Sequence, residues 1–175
     1  MHIIYYERNN VLFVEVNLKH ILDNVDLNIV NVLEKKGRTS FAKLSEEVGI
    51  SKSPCWARVQ TLQKVGVIRG YHADVCTRAL GLQIKAMIHV TVKFSESSAF
   101  EKSVLMHPNV VKCSAVTGDY DYVVDVISQD IESFDKLLRQ ELSSLPGVER
   151  FSTSVVTREV KNPNEVSLAS LMSKS

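Results

Sequence analysis

Two short stretches of helical periodicity meet at Gly49, and the tightness of this junction limits the folds open to the chain. Apolar residues first recur at three- and four-residue steps, which predicts a helix over about 23–36. A second helix is predicted over about 40–48 and a third over about 52–65. Three short helices with a glycine turn between the second and third predict a helix-turn-helix unit.

The residues at the predicted helix ends support this assignment. Asp23, Ser40 and Ser51 are each placed to cap the N-terminus of a helix, because their side chains can accept a bond from an otherwise unpaired backbone amide. Pro54 falls in the first turn of the third helix, where no intrahelical donor is lost. Gly66 then ends that helix.

The third predicted helix lies in a window without acidic residues. No Asp or Glu occurs between Glu47 and Asp74, although the chain as a whole has 21 basic and 20 acidic residues and a formal net charge of +1. Phosphate is met by one face of a protein, so this local pattern is more informative than the net charge. The window predicts a helix that faces a long anion; chance, or an ordinary solvated face, is the alternative.

The two sides of the third helix differ in character. At about 100° per residue, Cys55, Val59 and Leu62 share one side, which we predict to be buried. The opposite side is small, polar or basic, as a helix in the major groove of DNA requires: glutamine can bond the edge of adenine, and lysine and arginine can bond phosphates. The DNA contacts predicted are Arg38, Thr39, Ser51, Lys52, Ser53, Pro54, Trp56, Ala57, Arg58, Gln60, Thr61 and Lys64.

Two of these residues allow a second interpretation, because they lie on the flanks of the helix. Trp56 either covers the edge of the core or contacts sugar and base. Arg58 either bonds phosphate or bridges to a carboxylate of the first helix. Lys43, on the second helix, is a further candidate for a phosphate contact.

The pattern changes after the third helix. The segment VIRGYHADV is predicted to form an extended hairpin or wing, and residues 71–83 a wing or hinge linker. From residue 84 the order is strand, helix, strand, strand, helix, strand. This α+β order predicts a ferredoxin-like βαββαβ domain, a fold that hosts many functions. Its predicted elements cover 84–94, 97–106, 109–116, 121–128, 131–145 and 148–156.

The predicted domains are therefore a helix-turn-helix domain over 21–70 and a ferredoxin-like domain over 84–161, with a C-terminal tail over 162–175. Residues 1–20 form an N-terminal extension. Its apolar segment VLFVEV either adds a strand or is mobile.

Composition excludes several classes of protein. No run approaches the roughly 18 apolar residues that span a bilayer, so we expect no membrane contact. The start of the chain has charged residues where a signal peptide has an apolar core. Cys55, Cys76 and Cys113 form no CxxC pair, which favours free thiols and a cytoplasmic protein and argues against a disulfide framework or a zinc site. We find no catalytic residues, metal site or Gly-rich phosphate loop.

The segment TGDYD, between two predicted strands, is the other candidate site. Gly118 lets the chain turn sharply, and Asp119 and Asp121 place carboxylates beside it. A carboxylate suits an ammonium group, and turn amides suit a carboxylate. Two alternatives remain: a polar turn in which Asp caps its own backbone, and a weaker divalent-metal site that lacks further oxygen ligands.

Four segments together resemble the Lrp/AsnC family of bacterial and archaeal transcription regulators. They are LDNVDLNIVNVLEKKGR, SKSPCWARVQTLQKVGVIRGY, TGDYDYVV and LPGV, within about residues 21–161. The resemblance implies a helix-turn-helix domain, a hinge and a ferredoxin-like domain termed RAM (regulation of amino acid metabolism). It also implies that RAM domains pair through their sheets and that dimers commonly build into octamers that wrap DNA.

The resemblance further implies that a small effector, usually an amino acid, binds between RAM dimers and alters assembly or DNA affinity. Residues 1–19 have no counterpart in typical members, serine stands at position 53 where many members have threonine, and the identity of the effector does not carry over. The effector site implied comprises Ala115, Thr117, Gly118, Asp119, Tyr120, Asp121, Thr153 and Ser154.

We therefore predict a homo-oligomeric, sequence-specific DNA-binding transcription regulator that responds to an amino-acid-like effector and needs no cofactor. A dimer would present two third helices to successive major grooves of double-stranded DNA, so its operators should be pseudo-palindromic. Two alternatives belong to other classes. One is an architectural, nucleoid-type protein that senses nothing, and the other is an enzyme built on the ferredoxin-like domain.

Overall fold

The computed structural model describes residues 3–7, 10–14 and 22–161, and the described chain divides into two compact units between Asp74 and Val75. The division falls inside the segment predicted as a linker. None of the helices within the described ranges is long and apolar enough to cross a membrane.

The first unit contains three helices: α1 (Asn24–Lys35), α2 (Phe41–Glu47) and α3 (Lys52–Lys64). Their bounds agree with the predicted ones to within about one residue. Each helix is amphipathic, and the apolar sides meet in one small core, so packing rather than propensity holds these short helices together. The buried apolar residues of this core are Ile29, Leu33, Leu44, Cys55, Val59 and Leu62.

The predicted caps are confirmed for the first two helices and wrong in one respect for the third. The Asp23 carboxylate accepts from the Asp26 amide at 2.9 Å, and the Asp26 carboxylate accepts from the Asp23 amide at 3.3 Å, which forms a capping box. Ser40 accepts from the Lys43 amide at 3.3 Å. Ser51 occupies the cap position of α3, but its side chain makes no capping bond. The turn between α2 and α3 depends on Gly49, whose φ of +72° favours glycine.

The hairpin predicted after α3 does not form. The structure has no β-strand between Val67 and Val75, and the Ile68 amide instead donates back to the Leu62 carbonyl oxygen at 3.1 Å. Residues 69–80 are all exposed. A two-stranded hairpin is marginal without a packed face, and this segment has no buried side chain on which to build one.

The N-terminal extension forms strands where the structure describes it. Strands β1 (Ile3–Glu7) and β2 (Asn10–Val14) pair antiparallel. Of the two alternatives for this segment, the strand is therefore found. The remainder of the extension and the predicted tail over 162–175 lie outside the described residues.

The second unit is a four-stranded antiparallel sheet with two helical segments, in the order β4-β5-β3-β6. This strand order confirms the predicted ferredoxin-like βαββαβ topology, in which the first strand along the domain is central. The elements are β3 (Ile84–Val92), α4 (Ser97–Met106), β4 (Val110–Ala115), β5 (Tyr122–Ser128), α5 (Ile131–Lys136) and β6 (Val148–Val155).

One face of this sheet forms the core of the second unit. Alternate residues of β3 and β5 are buried beneath the helical segments, as the two-residue period of a strand requires. The other face is open in the single chain, and Met87 on it is 39% exposed. The core residues are Ala86, Ile88, Val90, Val92, Phe100, Val104, Tyr122, Val124, Val126, Phe134, Leu137 and Leu142.

The last predicted helix departs from α-helical geometry half-way along. The chain passes from α5 into a π-helical turn at Leu137–Glu141 and then a 3₁₀ turn at Leu142–Ser144. An unbroken α-helix would bring Gln140 and Glu141 towards the core after Leu137. The wider π turn brings Leu142 inward instead, so both leucines are buried.

The LPGV segment is a close-packed turn. Gly147 has φ +71°, and its carbonyl oxygen accepts from the Lys93 amide at 2.9 Å. A Cβ at this position would lie 2.6 Å from the Cβ of Glu96. Glycine is therefore required here for both backbone conformation and space.

Candidate DNA-contact surface and effector loop

The α3 helix buries one side and exposes the other, as predicted. Cys55, Val59 and Leu62 face the core of the first unit. Thr61 on this helix and Thr39 ahead of α2 are partly buried. The exposed members of the predicted DNA-contact set are Arg38, Ser51, Lys52, Ser53, Pro54, Trp56, Ala57, Gln60 and Lys64.

Two polar side chains on this surface differ in what they can still bond. The Thr61 hydroxyl donates to the Ala57 carbonyl oxygen at 3.0 Å, so it is occupied within the helix. The Gln60 amide nitrogen donates to the side chain of Gln63 at 3.2 Å. Because a glutamine amide has two donor hydrogens and an acceptor oxygen, Gln60 keeps groups for a base edge.

Four of the basic residues predicted to contact phosphate are free of ion pairs among the described residues. Within the described part of the chain, Arg38, Lys43, Lys52 and Lys64 make no ion pair, and all four are exposed. By contrast, Lys36 at the end of α1 is paired with Glu47 at 3.0 Å. The bases on and beside α3 therefore keep their full charge for an external anion.

Arg58 is bound inside the first unit. Its Nη1 donates to Asp23 Oδ2 at 2.7 Å and to Asp26 Oδ1 at 2.8 Å. Hydrogen bonding to Asp26, then to Asp23, raises the pKa of Arg58. Of the two alternatives for this residue, the structure shows the bridge to the first helix. The phosphate contact for Arg58 stays a prediction, and the two carboxylates compete with phosphate for its guanidinium.

Trp56 is half exposed, at 53% of its surface, so both interpretations of this residue stay open. It lies on the flank of α3, and its exposed half is available for contact with sugar or base. An open cleft of about 670 Å³ also borders this region, with Arg38, Thr39 and Gln60 among its lining residues. The polar groups at the rim of the cleft are accessible from outside.

The TGDYD loop is anchored to the central strand of the sheet. The Asp121 amide donates to the Val90 carbonyl oxygen at 3.0 Å, and one Asp121 carboxylate oxygen accepts from the Val92 amide at 2.9 Å. The Val116 amide donates to the Asp121 carbonyl oxygen at 2.9 Å and closes the loop. The Asp121 carboxylate therefore serves a neighbouring strand, and does not cap its own turn.

The tip of the loop is open. Gly118 has φ +126° and no atom within 4 Å of the position a Cβ would take. Thr117 and Asp119 are exposed, Tyr120 is partly buried, and Ala115 stands at the end of β4. The tip can therefore be approached by a ligand without displacing protein atoms.

Arg150 on β6 was missed by the sequence analysis. Its Nη2 donates to the Asp119 carbonyl oxygen at 3.0 Å, and its guanidinium lies 5.0 Å from the centre of the Tyr120 ring. The centre of the same ring is 5.4 Å from the centre of the His89 ring. The strand alternation was the available signal, because Arg150 pairs with Thr91 and so shares a sheet face with His89.

Thr153 and Ser154 are not brought to the loop within one chain. They pair with Ile88 and Met87, three and four residues beyond Arg150 along β6. Three residues of strand span about 10 Å, and consecutive side chains point to opposite faces. Their place in the effector site stays a prediction that a neighbouring copy would have to satisfy.

The described residues contain no group of three or more His, Cys, Asp or Glu side chains arranged to hold a metal ion. Cys55, Cys76 and Cys113 are free thiols.

Comparison with known proteins assigns both units. Residues 22–69 match the family model of a winged helix-turn-helix DNA-binding domain, and residues 85–166 match that of the Lrp/AsnC ligand binding domain. The transcriptional regulatory protein DoeX of Halomonas elongata is 37% identical over 146 residues, which span 82% of this chain and 92% of that protein. The chain belongs to the Lrp/AsnC family.

Other members of the Lrp/AsnC family support the assignment. The leucine-responsive regulatory protein of Escherichia coli is 36% identical over 148 residues, spanning 83% of this chain and 90% of that protein. Among solved structures, the L-Met complex of a transcriptional regulator from Neisseria meningitidis has a TM-score of 0.82 and 32% identity, and the match covers 86% of this chain and 99% of the other. An AsnC family regulator from Agrobacterium tumefaciens shares the fold, with a TM-score of 0.78 and 24% identity.

The predicted family and fold are thus confirmed. This Lrp/AsnC protein is a DNA-binding transcription regulator with an effector-binding domain. The enzyme alternative has no support from these relatives, which are transcription regulators.

Proposed function

We propose that two copies of this regulator place their α3 helices in successive major grooves of a pseudo-palindromic operator. The observation that carries the proposal is the open side of α3, which is exposed, free of acids and flanked by lysines without ion-pair partners among the described residues. Lys52, Lys64 and Arg38 bond phosphates in this arrangement, which fixes the protein on the duplex.

Base recognition is assigned to Gln60. Its side chain is exposed on α3 and retains donor and acceptor groups that match the edge of adenine. Ser53 and Ala57 are small, so the helix backbone can approach the floor of the groove. Phosphate contacts hold the register, and Gln60 supplies sequence preference.

We further infer that the effector is a free amino acid and that it binds at the TGDYD loop. Asp119 offers an exposed carboxylate for an ammonium group, beside the open turn at Gly118. The L-Met complex of the Neisseria meningitidis relative supports this ligand class. Thr153 and Ser154 would then be supplied by a neighbouring copy.

The open face of the sheet is proposed as the surface through which RAM domains form a homodimer, and dimers as the units of an octamer. Met87 on this face is 39% exposed in the single chain, and His89, Val123 and Ile127 lie around it with partial exposure. Such a mixed apolar face is suited to burial against an identical face. Light scattering across protein concentrations measures the assembly directly.

The DNA proposal is tested by fluorescence anisotropy at several salt concentrations, with genomic fragments selected by the protein itself. Replacing Lys52 and Lys64 with Ala should reduce the slope of log affinity against log salt by about one for each lost phosphate contact. Lys136→Ala, an exposed lysine of the second unit, is the matched control and should leave the slope unchanged. An unchanged slope in the α3 variants would overturn the placement of this helix.

Recognition of the DNA sequence by Gln60 is tested separately with Gln60→Ala. Loss of a base contact should weaken binding to selected DNA by about 1–3 kcal/mol and spare random DNA. Gln83→Ala, which removes an exposed glutamine side chain in the second unit, is the control; Gln63 is unsuitable because it accepts a hydrogen bond from Gln60 at 3.2 Å. Equal losses on both DNAs would remove Gln60 from base recognition.

A test of effector binding distinguishes this regulator from the architectural alternative. A thermal-shift panel of L-amino acids should reveal at least one that stabilises the second unit, because a ligand that binds only the folded state raises its stability. A panel without any such ligand would favour a DNA-coating role.

A further inference from the structure

We propose that Asp119 and Arg150 act together as the recognition pair for a zwitterionic amino acid, with Asp119 binding the ammonium group and Arg150 the carboxylate. The inference rests on the proposed amino-acid effector and names the side chain that selects for its acid group. In this arrangement the carboxylate of the ligand is bound by Arg150 and not by turn amides alone.

The first support is the position of the two charges. Arg150 Nη2 donates to the main-chain oxygen of Asp119 at 3.0 Å, which brings the guanidinium to the residue that bears the carboxylate. The two side chains nevertheless make no ion pair with each other, and the described residues give neither charge another ion-pair partner. Both residues are exposed.

Opposite charges that stand close together without pairing suit a ligand that carries both charges. The ammonium and carboxylate of an amino acid are joined to one carbon, so a binding pair must offer its two charges within a short span. Arginine has five donor hydrogens, and the bond to Asp119 uses only one of them. The remaining donors can bind a carboxylate by charge-assisted hydrogen bonds, with two parallel bonds as the strongest form.

The second support is that the guanidinium is held in place before any ligand arrives. It lies 5.0 Å from the centre of the Tyr120 ring, and that ring lies 5.4 Å from the ring of His89. A cation over an aromatic face loses less orientational freedom on binding than a free surface arginine does. The Oγ1 of Thr91, in register with Arg150, is buried and has no hydrogen-bond partner among the described atoms, so this part of the face has an unused polar group.

The third support is that Asp121 is already engaged. One of its carboxylate oxygens accepts from the Val92 amide at 2.9 Å, so this residue holds the loop on the sheet. Asp119 has no such bond among the described contacts and is therefore the carboxylate available to a ligand. The two aspartates of the loop thus have separate roles.

The test uses ligands from which one charge has been removed. L-Met is the first probe, and the tightest binder of a panel of L-amino acids is the second. Each amino acid is compared with its amide, which lacks the carboxylate, and with its desamino analogue, which lacks the ammonium group. Calorimetry on the full chain gives the affinities. Arg150→Gln should weaken binding of the amino acid on the order of 10- to 100-fold and change amide binding little. Asp119→Asn should weaken binding of the amino acid and leave binding of the desamino analogue unchanged.

Two variants keep the test independent of folding. Arg150→Lys keeps the positive charge and should retain part of the affinity, and Arg158→Gln removes an exposed arginine elsewhere in the same unit and should have no effect. If Arg150→Gln weakens binding of the amino acid and binding of its amide equally, Arg150 only tethers the loop and the recognition pair is refuted. If the unaltered protein binds no amino acid of the panel, the proposed effector class is refuted, and the proposed recognition pair is refuted as well.

Discussion

The Arg58 guanidinium donates to the Asp26 carboxylate across 2.8 Å, and that carboxylate is only 3% exposed. Arg58 of α3 is therefore fixed to the first helix by a bond at the edge of the core. The same guanidinium also bonds Asp23, the cap of α1. The cap of one helix and the orientation of the other are thus parts of one network.

Replacing Arg58 with Ala should destabilise the first unit by about 1–3 kcal/mol, because the buried Asp26 carboxylate would lose its cationic partner. The cost should stay below that of a fully buried pair, since Arg58 is itself 36% exposed. Chemical denaturation monitored at Trp56 measures the loss. DNA affinity should fall while the salt slope stays constant, because the charge of Arg58 is already neutralised. A reduced slope, like that of the Lys52 variant, would show that Arg58 contacts phosphate.

Acid should weaken the first unit through Asp23. The amide of Asp26, and then Arg58, lower the pKa of Asp23, so its contribution to stability is present above the pKa of the unfolded chain and is lost as pH falls through the folded pKa. Asp23→Asn keeps an oxygen that can cap α1 but removes the charge. The difference in stability between the two proteins should be full at neutral pH, shrink as pH falls through the ordinary carboxyl range, and vanish below the lowered folded pKa of Asp23. A difference that is constant with pH would exclude the charge as its source.

Gly147→Ala should destabilise the second unit by about 2–4 kcal/mol. The left-handed conformation alone costs an alanine about 1–2 kcal/mol, and the new Cβ would also meet the Cβ of Glu96 at 2.6 Å. Gly81→Ala is the matched control, because its φ of +83° is similar but no atom lies within 4 Å. Thermal unfolding of both variants separates strain from collision, and equal losses would show that the collision is relieved.

Alkylation should distinguish the cysteines. Burial, with the carboxylates of Glu101 and Asp125, raises the pKa of Cys113 to about 11, so about one thiol in a thousand is ionised at pH 8. Burial also raises the pKa of Cys55. Cys76 is exposed and should be the first to react with iodoacetamide, as followed by mass spectrometry. Modification of Cys113 at a similar rate would indicate that β4 opens readily.

Binding of operator DNA should change the fluorescence of Trp56, which is the only tryptophan of the chain and is 53% exposed on α3. Contact with sugar or base changes the polarity around the indole. The midpoint of the change should match that from anisotropy. An unaltered spectrum at saturation would place Trp56 outside the interface.

The elements of this fold could be predicted closely because each has a strong local pattern. The helix α4 was predicted at its observed bounds, since Phe100 and Val104 mark its buried side and a His-Pro pair follows it. The π turn at Leu137 was not predictable from period alone. It depends on which of several nearby side chains the sheet can accept, and that is a property of the packed core.

The sites were only partly predictable, for a related reason. The exposed side of α3 follows from the helical period, so Gln60 and Lys64 were placed correctly on its surface. The partner of Arg58 was left open because a residue on a flank can turn to either side. Arg150 was missed because it is 31 residues from Asp119 along the chain, and only the register of β6 against β3 brings them together.

The attachment of Asp121 to Val90 and Val92 has a consequence for how such a regulator can diversify. The loop is fixed to the middle strand of the sheet, where amide exchange with solvent should be slowest. The groups that we propose to meet the invariant end of an amino acid are therefore held rigidly. Selection among ligands must then arise from surfaces that meet the variable end. A change of effector would need no rebuilding of the anchor, and mutations that retune the response should accumulate elsewhere.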